Sequence, residues 1–108
     1  MRKRVYIAGP MSLGDRIVNL DMALRAYRAL LEKGYAPLCP QLTFFVDRLF
    51  DFPWQTWIDA DLPWVSVSDA VLRLPGKSDG AERETATASK EGIPVFYCLS
   101  DLYSRLPA

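Results

Sequence analysis

The sequence predicts a single α/β domain over residues 1–108, with helices on both faces of a short parallel sheet. Segments rich in β-branched and aromatic residues alternate with longer segments whose apolar residues recur at helical spacing. The strand segments are apolar throughout, which is typical of parallel strands buried on both faces. Because crossovers between parallel strands are right-handed, we expect about four strands in the order 2-1-3-4, a Rossmann- or flavodoxin-like arrangement.

Two predicted strands flank one long helix in the first half of the chain. Arg4–Ala8 is rich in strand-forming residues and ends at the turn-forming pair Gly9-Pro10. A second strand, Tyr35–Cys39, follows Gly34, which suits the left-handed position after a helix. The helix between them is predicted over residues 15–33 because apolar residues recur at helical spacing: Leu20, Leu24, Tyr27 and Leu31, with Ala23 and Leu30 alongside.

The stretch from Phe44 to Trp64 is the most aromatic part of the chain. It holds seven aromatic residues interleaved with four aspartates. Pro53 is predicted to begin a helix, with Asp51 or Phe52 near its cap, and Pro63 is predicted to break or kink that helix. We interpret most of the aromatic residues as core and subunit interface, which leaves one or two to stack against a flat ring.

The last part of the chain repeats the strand and helix alternation. Ala70–Leu74 is predicted as the third strand, followed by a helix over residues 80–91. Val95–Leu99 is predicted as the fourth strand, and residues 100–106 as a short final helix.

Composition excludes several classes of partner. The formal net charge is zero with acids and bases interspersed, so no basic face for a nucleic-acid polymer is visible. No apolar run approaches the roughly 20 residues that a membrane span needs. The segment after the basic residues 1–4 is too short for a signal-peptide core, which predicts a cytoplasmic protein.

The residue types present also limit the chemistry. There is no histidine, which excludes Ser-His-Asp and Cys-His catalysis and the common zinc sites. Cys39 and Cys98 lack metal-ligand spacing, and we predict both to be buried, reduced thiols. Any acid–base chemistry must therefore come from Asp, Glu, Tyr or Lys, without a metal or an organic cofactor.

Polar groups are predicted to meet where strands one and three end. In the order 2-1-3-4 these two carboxyl ends lie side by side, where open α/β sheets bind ligands. Two carboxylates flanking a sugar suit glycosidic cleavage, in which one attacks the anomeric carbon and the other assists the leaving group. The candidate residues are Tyr6, Gly9, Pro10, Met11, Ser12, Asp61, Ser78, Gly80 and Glu84.

A resemblance rests on four motifs in a fixed order along the chain. The motifs are Tyr6-Ile7-Ala8-Gly9-Pro10-Met11-Ser12, Asp61-Leu62, Asp69-Ala70 and Ser78-x-Gly80-Ala81-x-x-Glu84. Together they resemble the nucleoside 2-deoxyribosyltransferase family, which includes 2′-deoxynucleoside 5′-monophosphate N-glycosidases. The resemblance covers residues 4–96 and is most specific in the last motif.

The resemblance implies a role for each matched residue. Glu84 resembles the nucleophile that forms a covalent deoxyribosyl intermediate, Tyr6 the tyrosine that orients it, and Asp61 the carboxyl that assists departure of the base. The loop from Gly9 to Ser12, together with Gly80, resembles the lining of the sugar and base site. Ser78 resembles the serine that contacts phosphate in the monophosphate hydrolases, where the nucleoside transferases commonly have an aspartate.

Several alternatives remain open from the sequence. Asp59 competes with Asp61 for the leaving-group role, and the substrate is a nucleoside or a 5′-monophosphate, with water or a second base as acceptor. A nucleotide-binding or regulatory module without turnover is the second hypothesis, motivated by the few residues after the fourth strand. A purely structural oligomer is the third. The abundance of aromatic residues in so small a domain also predicts a homo-oligomer, a dimer or higher.

Overall fold

The computed structural model describes residues 1–108 and contains one four-stranded parallel sheet in the order β2-β1-β3-β4. The strands are β1 (Arg4–Ala8), β2 (Ala36–Leu38), β3 (Ala70–Arg73) and β4 (Val95–Phe96). The register pairs Tyr6 with Val71 and Ala8 with Arg73. The predicted fold class and strand order are therefore confirmed.

Five helices complete the α/β arrangement, and a 3₁₀ turn (Pro40–Thr43) follows β2. The helices are α1 (Arg16–Lys33), α2 (Phe44–Leu49), α3 (Trp54–Ser66), α4 (Asp79–Lys90) and α5 (Leu99–Arg105). None is long and apolar enough to cross a membrane. The helices predicted over residues 15–33 and 80–91 agree with α1 and α4 to within one residue at each end.

The sheet separates two apolar clusters because successive strand residues point to opposite faces. Val5 and Ile7 pack with residues of α1 and α5, such as Leu30 and Leu102, on one face. Tyr6 and Ala8 point to the other face, where the buried residues include members of α3 and α4. The side chain of Tyr6 is thereby directed toward the helix that carries Glu84.

Helix α1 has well-defined ends and buries one face against the sheet. Asp15 caps it by accepting hydrogen bonds from the backbone N–H groups of Ile17 and Val18, and Gly34 ends it with a φ of 101°. Small residues face the sheet, whereas Leu24 and Leu31 are 39% and 46% exposed. The buried residues are Asn19, Ala23, Ala26 and Leu30.

Strand β4 is shorter than predicted, Cys98 is not buried, and no break interrupts the helix at Pro63. Strand β4 ends at Phe96 and pairs only with β3, so Cys98 lies outside the sheet and is exposed, whereas Cys39 is buried. Helix α3 continues through Pro63 to Ser66. Proline cannot donate to the carbonyl of Asp59, but that residue is exposed, so solvent can hydrate the carbonyl.

The aromatic stretch contributes almost nothing to the core. None of its seven aromatic residues is fully buried, and Phe45, Phe50 and Trp64 are more than half exposed. Part of the stretch forms the short helix α2, which the sequence analysis did not predict. The assignment of these residues to the core is therefore wrong, and four of them instead line the cavity described below: Phe44, Phe52, Trp54 and Trp57.

Candidate active site

A cavity of about 560 Å³ opens at the carboxyl edge of the sheet, between the ends of β1 and β3 and helices α2 and α3. Of the nine predicted site residues, eight line it: Gly9, Pro10, Met11, Ser12, Asp61, Ser78, Gly80 and Glu84. The ninth, Tyr6, is fully buried and lies behind Glu84. The topology thus brings together residues that are up to 78 positions apart in the chain.

Glu84 is a buried carboxylate held by a buried phenol. Its side chain is only 5% exposed, and the hydroxyl of Tyr6 donates a hydrogen bond to its Oε2. Tyr6 projects from the middle of β1, and Glu84 lies between one and two turns into α4, so the two elements fix the pair. Burial, followed by the charge of Glu84, raises the pKa of Tyr6, which therefore stays protonated and acts as a donor.

The two cavity carboxyls have raised pKa values. Burial raises the pKa of Glu84 to about 8; the hydrogen bond from Tyr6 opposes this, the charge of Asp61 adds to it, and the charge of Arg73 opposes it. Burial raises the pKa of Asp61 to about 6. Because the two groups interact, they titrate as a pair. Near neutral pH one proton can be shared between a candidate nucleophile and a candidate acid.

The structure distinguishes Asp61 from its competitor Asp59. Asp61 faces the cavity from α3 and is partly buried. Asp59 is exposed, does not line the cavity, and accepts a hydrogen bond of 2.8 Å from Gln55 on the helix surface. Of the two carboxyls, only Asp61 is therefore placed to meet a ligand bound beside Glu84.

The loop after β1 forms one side of the cavity and is held from below. Asn19 donates from Nδ2 to the backbone oxygens of Met11 and Leu13, at 3.3 and 2.7 Å. Asn19 is itself buried, so these two hydrogen bonds also satisfy its side-chain amide. A Cβ at Gly9 would lie 3.0 Å from Cβ of Leu74, so this position needs glycine for the two strand ends to approach.

The start of α4 forms the opposite side. Ser78 caps the helix, since its Oγ accepts a hydrogen bond of 3.1 Å from the N–H of Ala81. The same residue lines the cavity, so Ser78 both caps the helix and faces the open space. Gly80 packs against α3, where an added Cβ would lie 3.3 Å from Cδ1 of Ile58.

An aromatic wall, formed by Phe44, Phe52, Trp54 and Trp57, closes the cavity on the side of α2 and α3. Phe52 and Trp57 meet edge to face with ring centroids 5.7 Å apart. The indole nitrogen of Trp57 donates to Oδ1 of Asp47 at 3.2 Å, which ties α3 to α2. This wall offers flat apolar surfaces to a ring-shaped ligand.

Charge in the lining is predominantly negative. Five acidic residues line the cavity, but only two cations do, Arg16 and Lys77. The acidic residues are Asp47, Asp51, Asp61, Asp79 and Glu84. Asp79 follows Ser78 directly, whereas Lys77 precedes it, so an anion at Ser78 would meet charges of both signs. No group of three or more His, Cys, Asp or Glu side chains is arranged to hold a metal ion.

Sequence reasoning missed two buried polar residues beside the site. Gln41, at the start of the 3₁₀ turn, is 3% exposed and lines the cavity. Arg73 is buried at the end of β3, where its guanidinium donates to the backbone oxygens of Leu74 and Gly76 and to Glu82. A charged residue closing an otherwise apolar strand was the available signal for Arg73. Gln41 carries no such signal, because a glutamine after a proline is typical of exposed loops.

Comparisons with known proteins agree with this fold. A protein-family model described as Domain of unknown function (DUF7768) matches residues 3–98. No curated protein matches the chain. Among solved structures, the chain is similar to a 2-deoxyribosyltransferase from the psychrotolerant bacterium Bacillus psychrosaccharolyticus, with a TM-score of 0.64 and 19% identity over 85% of this chain and 69% of the other. At this identity the similarity shows a shared fold.

Proposed function

We propose that the chain, which belongs to the family described as Domain of unknown function (DUF7768), is an enzyme that cleaves the N-glycosidic bond of a 2′-deoxynucleoside or its 5′-monophosphate. The single observation that carries the proposal is the buried Tyr6–Glu84 pair behind a cavity that Asp61 also lines. A buried carboxylate with a phenol donor and a second carboxyl nearby is the set of groups that glycosidic cleavage requires. The similarity in fold to a 2-deoxyribosyltransferase supports the same reading.

In the proposed mechanism, Glu84 acts as the nucleophile. One carboxylate oxygen attacks C1′ of the deoxyribose, the bond between C1′ and the base nitrogen breaks, and its electron pair stays on the base. Protonated Asp61 donates its proton to the departing base. The hydrogen bond from Tyr6 to Oε2 fixes the carboxylate and leaves the other oxygen, Oε1, for the attack. The product of this step is a deoxyribosyl ester of Glu84.

The ester is then resolved by an acceptor. Water or the N–H nitrogen of a second base attacks C1′, the bond between C1′ and Glu84 breaks, and the attacking group gives its proton to the Asp61 carboxylate; the product is free deoxyribose or a new nucleoside. Either route restores Glu84 as a carboxylate and Asp61 as an acid, without a metal or organic cofactor. The aromatic wall holds the base by stacking, and the loop from Gly9 to Ser12 lines the sugar.

The 5′ end of the substrate lies at Ser78 in this proposal. The Ser78 hydroxyl at the start of α4 suits a phosphate, and Lys77 adds a positive charge. The excess of acidic residues in the lining favours an uncharged nucleoside instead. Both substrates therefore belong in the test, and their ratio of kcat/KM measures which charge effect is larger.

The test is the release of free base from deoxynucleosides and their 5′-monophosphates, measured over time by chromatography. We expect wild-type protein to release base and Glu84→Gln to be slower by at least about 10³-fold, because the amide cannot form the ester. Glu82→Gln is the matched control, since that carboxylate lies outside the cavity on the same helix. Equal rates for wild type and Glu84→Gln contradict the mechanism.

A second candidate function is a nucleotide-binding or regulatory module of the same fold. It is favoured by the pKa of Glu84 of about 8, which leaves most of the carboxyl protonated and non-nucleophilic at neutral pH. Binding of a deoxynucleotide without base release at pH 7 and at pH 9, unchanged in Glu84→Gln, would identify this function. Base release that peaks between about pH 6 and pH 8 and is lost in Glu84→Gln identifies the enzyme.

We also propose that the protein is a homo-oligomer. Large aromatic side chains outside the cavity, such as Phe45, Phe50 and Trp64, are more than half exposed, and a second subunit would remove them from water. Sedimentation equilibrium at micromolar concentration tests this, with a dimer or larger species expected. A monomer at that concentration contradicts it.

A further inference from the structure

Gln41 combines near-complete burial with one unused end of its carboxamide. Its Oε1 accepts a hydrogen bond of 3.3 Å from Sγ of Cys39. Its Nε2 has no hydrogen-bond partner in the chain. Every fully buried side-chain nitrogen or oxygen of the protein has a partner, so Nε2 itself is not fully buried. Nε2 therefore touches the open space of the cavity that Gln41 lines. A buried donor with only the cavity in front of it is available to a ligand.

The other partner, Cys39, has no role in the mechanism above. Its side chain is 5% exposed, it forms no disulfide, and it does not line the cavity. Burial raises the pKa of this thiol, so the proton needed for a hydrogen bond is retained at neutral pH. Cys39 directly precedes the 3₁₀ turn that carries Gln41, which places the two side chains next to each other.

We infer that Cys39 is a positioning residue: its thiol holds the Gln41 carboxamide with the oxygen inward and the amino group toward the cavity. The opposite orientation would point the amide N–H groups at a weakly accepting sulfur and leave the thiol proton without its acceptor. It would also present an oxygen to the ligand. The thiol thereby determines that this part of the site donates a hydrogen bond.

The fixed orientation selects the chemistry of the ligand. Nε2 lies next to Gly9, since an added Cβ there would be 3.4 Å from this nitrogen. A ligand atom that meets Gln41 must accept a hydrogen bond, as a carbonyl oxygen or an unprotonated ring nitrogen does. A base that presents an amino group at the same position would place one donor against another, because the Gln41 amide also donates. Such a base would bind less well.

The kinetic experiment is a double-mutant cycle, and it rests on the proposed function. KM and kcat for base release are measured in wild type, Cys39→Ala, Gln41→Met and the double variant. We expect Cys39→Ala to raise KM about threefold, as suits a weak hydrogen bond, with a smaller change in kcat. In the Gln41→Met background the same substitution should have no further effect, because there is no carboxamide left to orient.

Cys39→Ser is the matched variant, since its hydroxyl can donate the same hydrogen bond. We expect it to restore most of the affinity lost in Cys39→Ala. Losses that add in the double variant, or a serine variant no better than the alanine variant, contradict the positioning role and indicate that Cys39 only fills space. Gln41→Glu tests the donor directly, with Cys39 unchanged. It replaces the donor by an acceptor and should weaken binding of the same deoxynucleoside by at least about tenfold.

A second measurement does not depend on turnover. The side-chain ¹⁵NH₂ group of Gln41 gives its own amide signals, which are identified by their loss in Gln41→Met. We expect these signals to lie away from the positions of a solvent-exposed glutamine in wild type and Cys39→Ser, and to shift toward those positions in Cys39→Ala. Unchanged signals in Cys39→Ala overturn the inference even if base release is observed. Changed signals without base release support it and reject the proposed function alone.

Discussion

The polar edge and the aromatic wall of the cavity are built in different ways. The polar edge belongs to β1 and the start of α4 and is formed by Tyr6, Ser78, Gly80 and Glu84. The side chains of Tyr6 and Glu84 are buried and joined by a hydrogen bond. The aromatic wall comes from α2 and α3, and two of its four rings, Phe52 and Trp54, are nearly half exposed. Asp61 on α3 faces the polar edge from the side of the wall.

The difference separates two tasks within one site. Burial at the polar edge raises the pKa of its one carboxyl, Glu84, which favours chemistry but costs stability. The aromatic wall is held by few contacts, including the hydrogen bond between Trp57 and Asp47 and the cation–π contact of Arg83 over Trp54 at 5.4 Å. We expect substitutions at the edge to change rate and stability, and substitutions at the wall to change affinity.

The largest expected effect is on stability at alkaline pH. The folded pKa of Glu84 is about 8, above its unfolded value of 4.5, so the stability associated with this group is complete below pH 4.5 and is lost as the pH rises through 8. Glu84→Gln does not ionise and avoids that loss. Above pH 8 we expect the variant to be more stable than wild type by on the order of 4 kcal/mol, with convergence near pH 4.

Urea unfolding between pH 4 and 9 measures this difference. Glu32→Gln is the control, because Glu32 is exposed and only pairs with Arg28 on the surface of α1. That pair contributes at most about 0.5 kcal/mol, so its removal should leave the pH dependence unchanged. A wild-type stability that stays constant from pH 5 to 9 would show that Glu84 is not held in a desolvating environment.

The second effect concerns the acid that meets the base. We expect Asp61→Asn to lower kcat for base release by about 10²–10⁴-fold, the usual contribution of a positioned general acid. Asp59→Asn should leave kcat within twofold of wild type, because that carboxyl faces solvent two residues away. Steady-state rates of the two variants show which aspartate is the general acid. A larger loss of kcat in Asp59→Asn than in Asp61→Asn would assign that role to Asp59.

The pH profile provides a further check on Asp61. In wild type kcat/KM should follow a bell with limbs near pH 6 and pH 8, since activity needs one proton on the carboxyl pair. In Asp61→Asn the alkaline limb should disappear, because no acid is left to lose its proton. The one remaining limb should report Glu84 alone, at a pKa below about 8, because the charge of Asp61 no longer raises it.

The smallest effect is expected at the aromatic wall. Trp57→Ala removes a ring from the cavity and the hydrogen bond to Asp47, and we expect KM to rise about tenfold with kcat changed less than threefold. Trp57→Phe keeps a ring and should recover most of the affinity. Kinetics with a fixed deoxynucleoside test this, and a loss confined to kcat would mean that Trp57 acts on the chemistry instead.

The polar edge could be predicted from the sequence because local signals coincide there. Ser78 follows a strand and a glycine-bearing turn, and Glu84 lies on the helix that begins after it, so parallel topology alone places both at one edge. Tyr6 in the middle of β1 points to the same face as α4 by strand alternation. The contact between Tyr6 and Glu84 then follows from the strand order 2-1-3-4, which the sequence also predicts.

The aromatic wall and the buried polar residues depend on tertiary contacts that local patterns do not encode. Aromatic residues predict burial on average, but Phe45 on α2 and Trp64 on α3 are more than half exposed. Pro63 remains helical because the lost hydrogen bond lies on the solvent side. Gln41 is buried beside Gly9, which follows β1, and no spacing in the sequence shows this contact between distant parts of the chain.

A covalent adduct on Glu84 would test the central claim most directly. Protein quenched in acid during turnover of a deoxynucleoside is digested, and the peptide containing residues 78–90 is weighed by mass spectrometry. The account predicts a fraction of this peptide carrying one deoxyribosyl group on Glu84, absent in Glu84→Gln and more abundant when the acceptor base is omitted. Sustained base release by Glu84→Gln, or a deoxyribosyl group found on another residue, would contradict it.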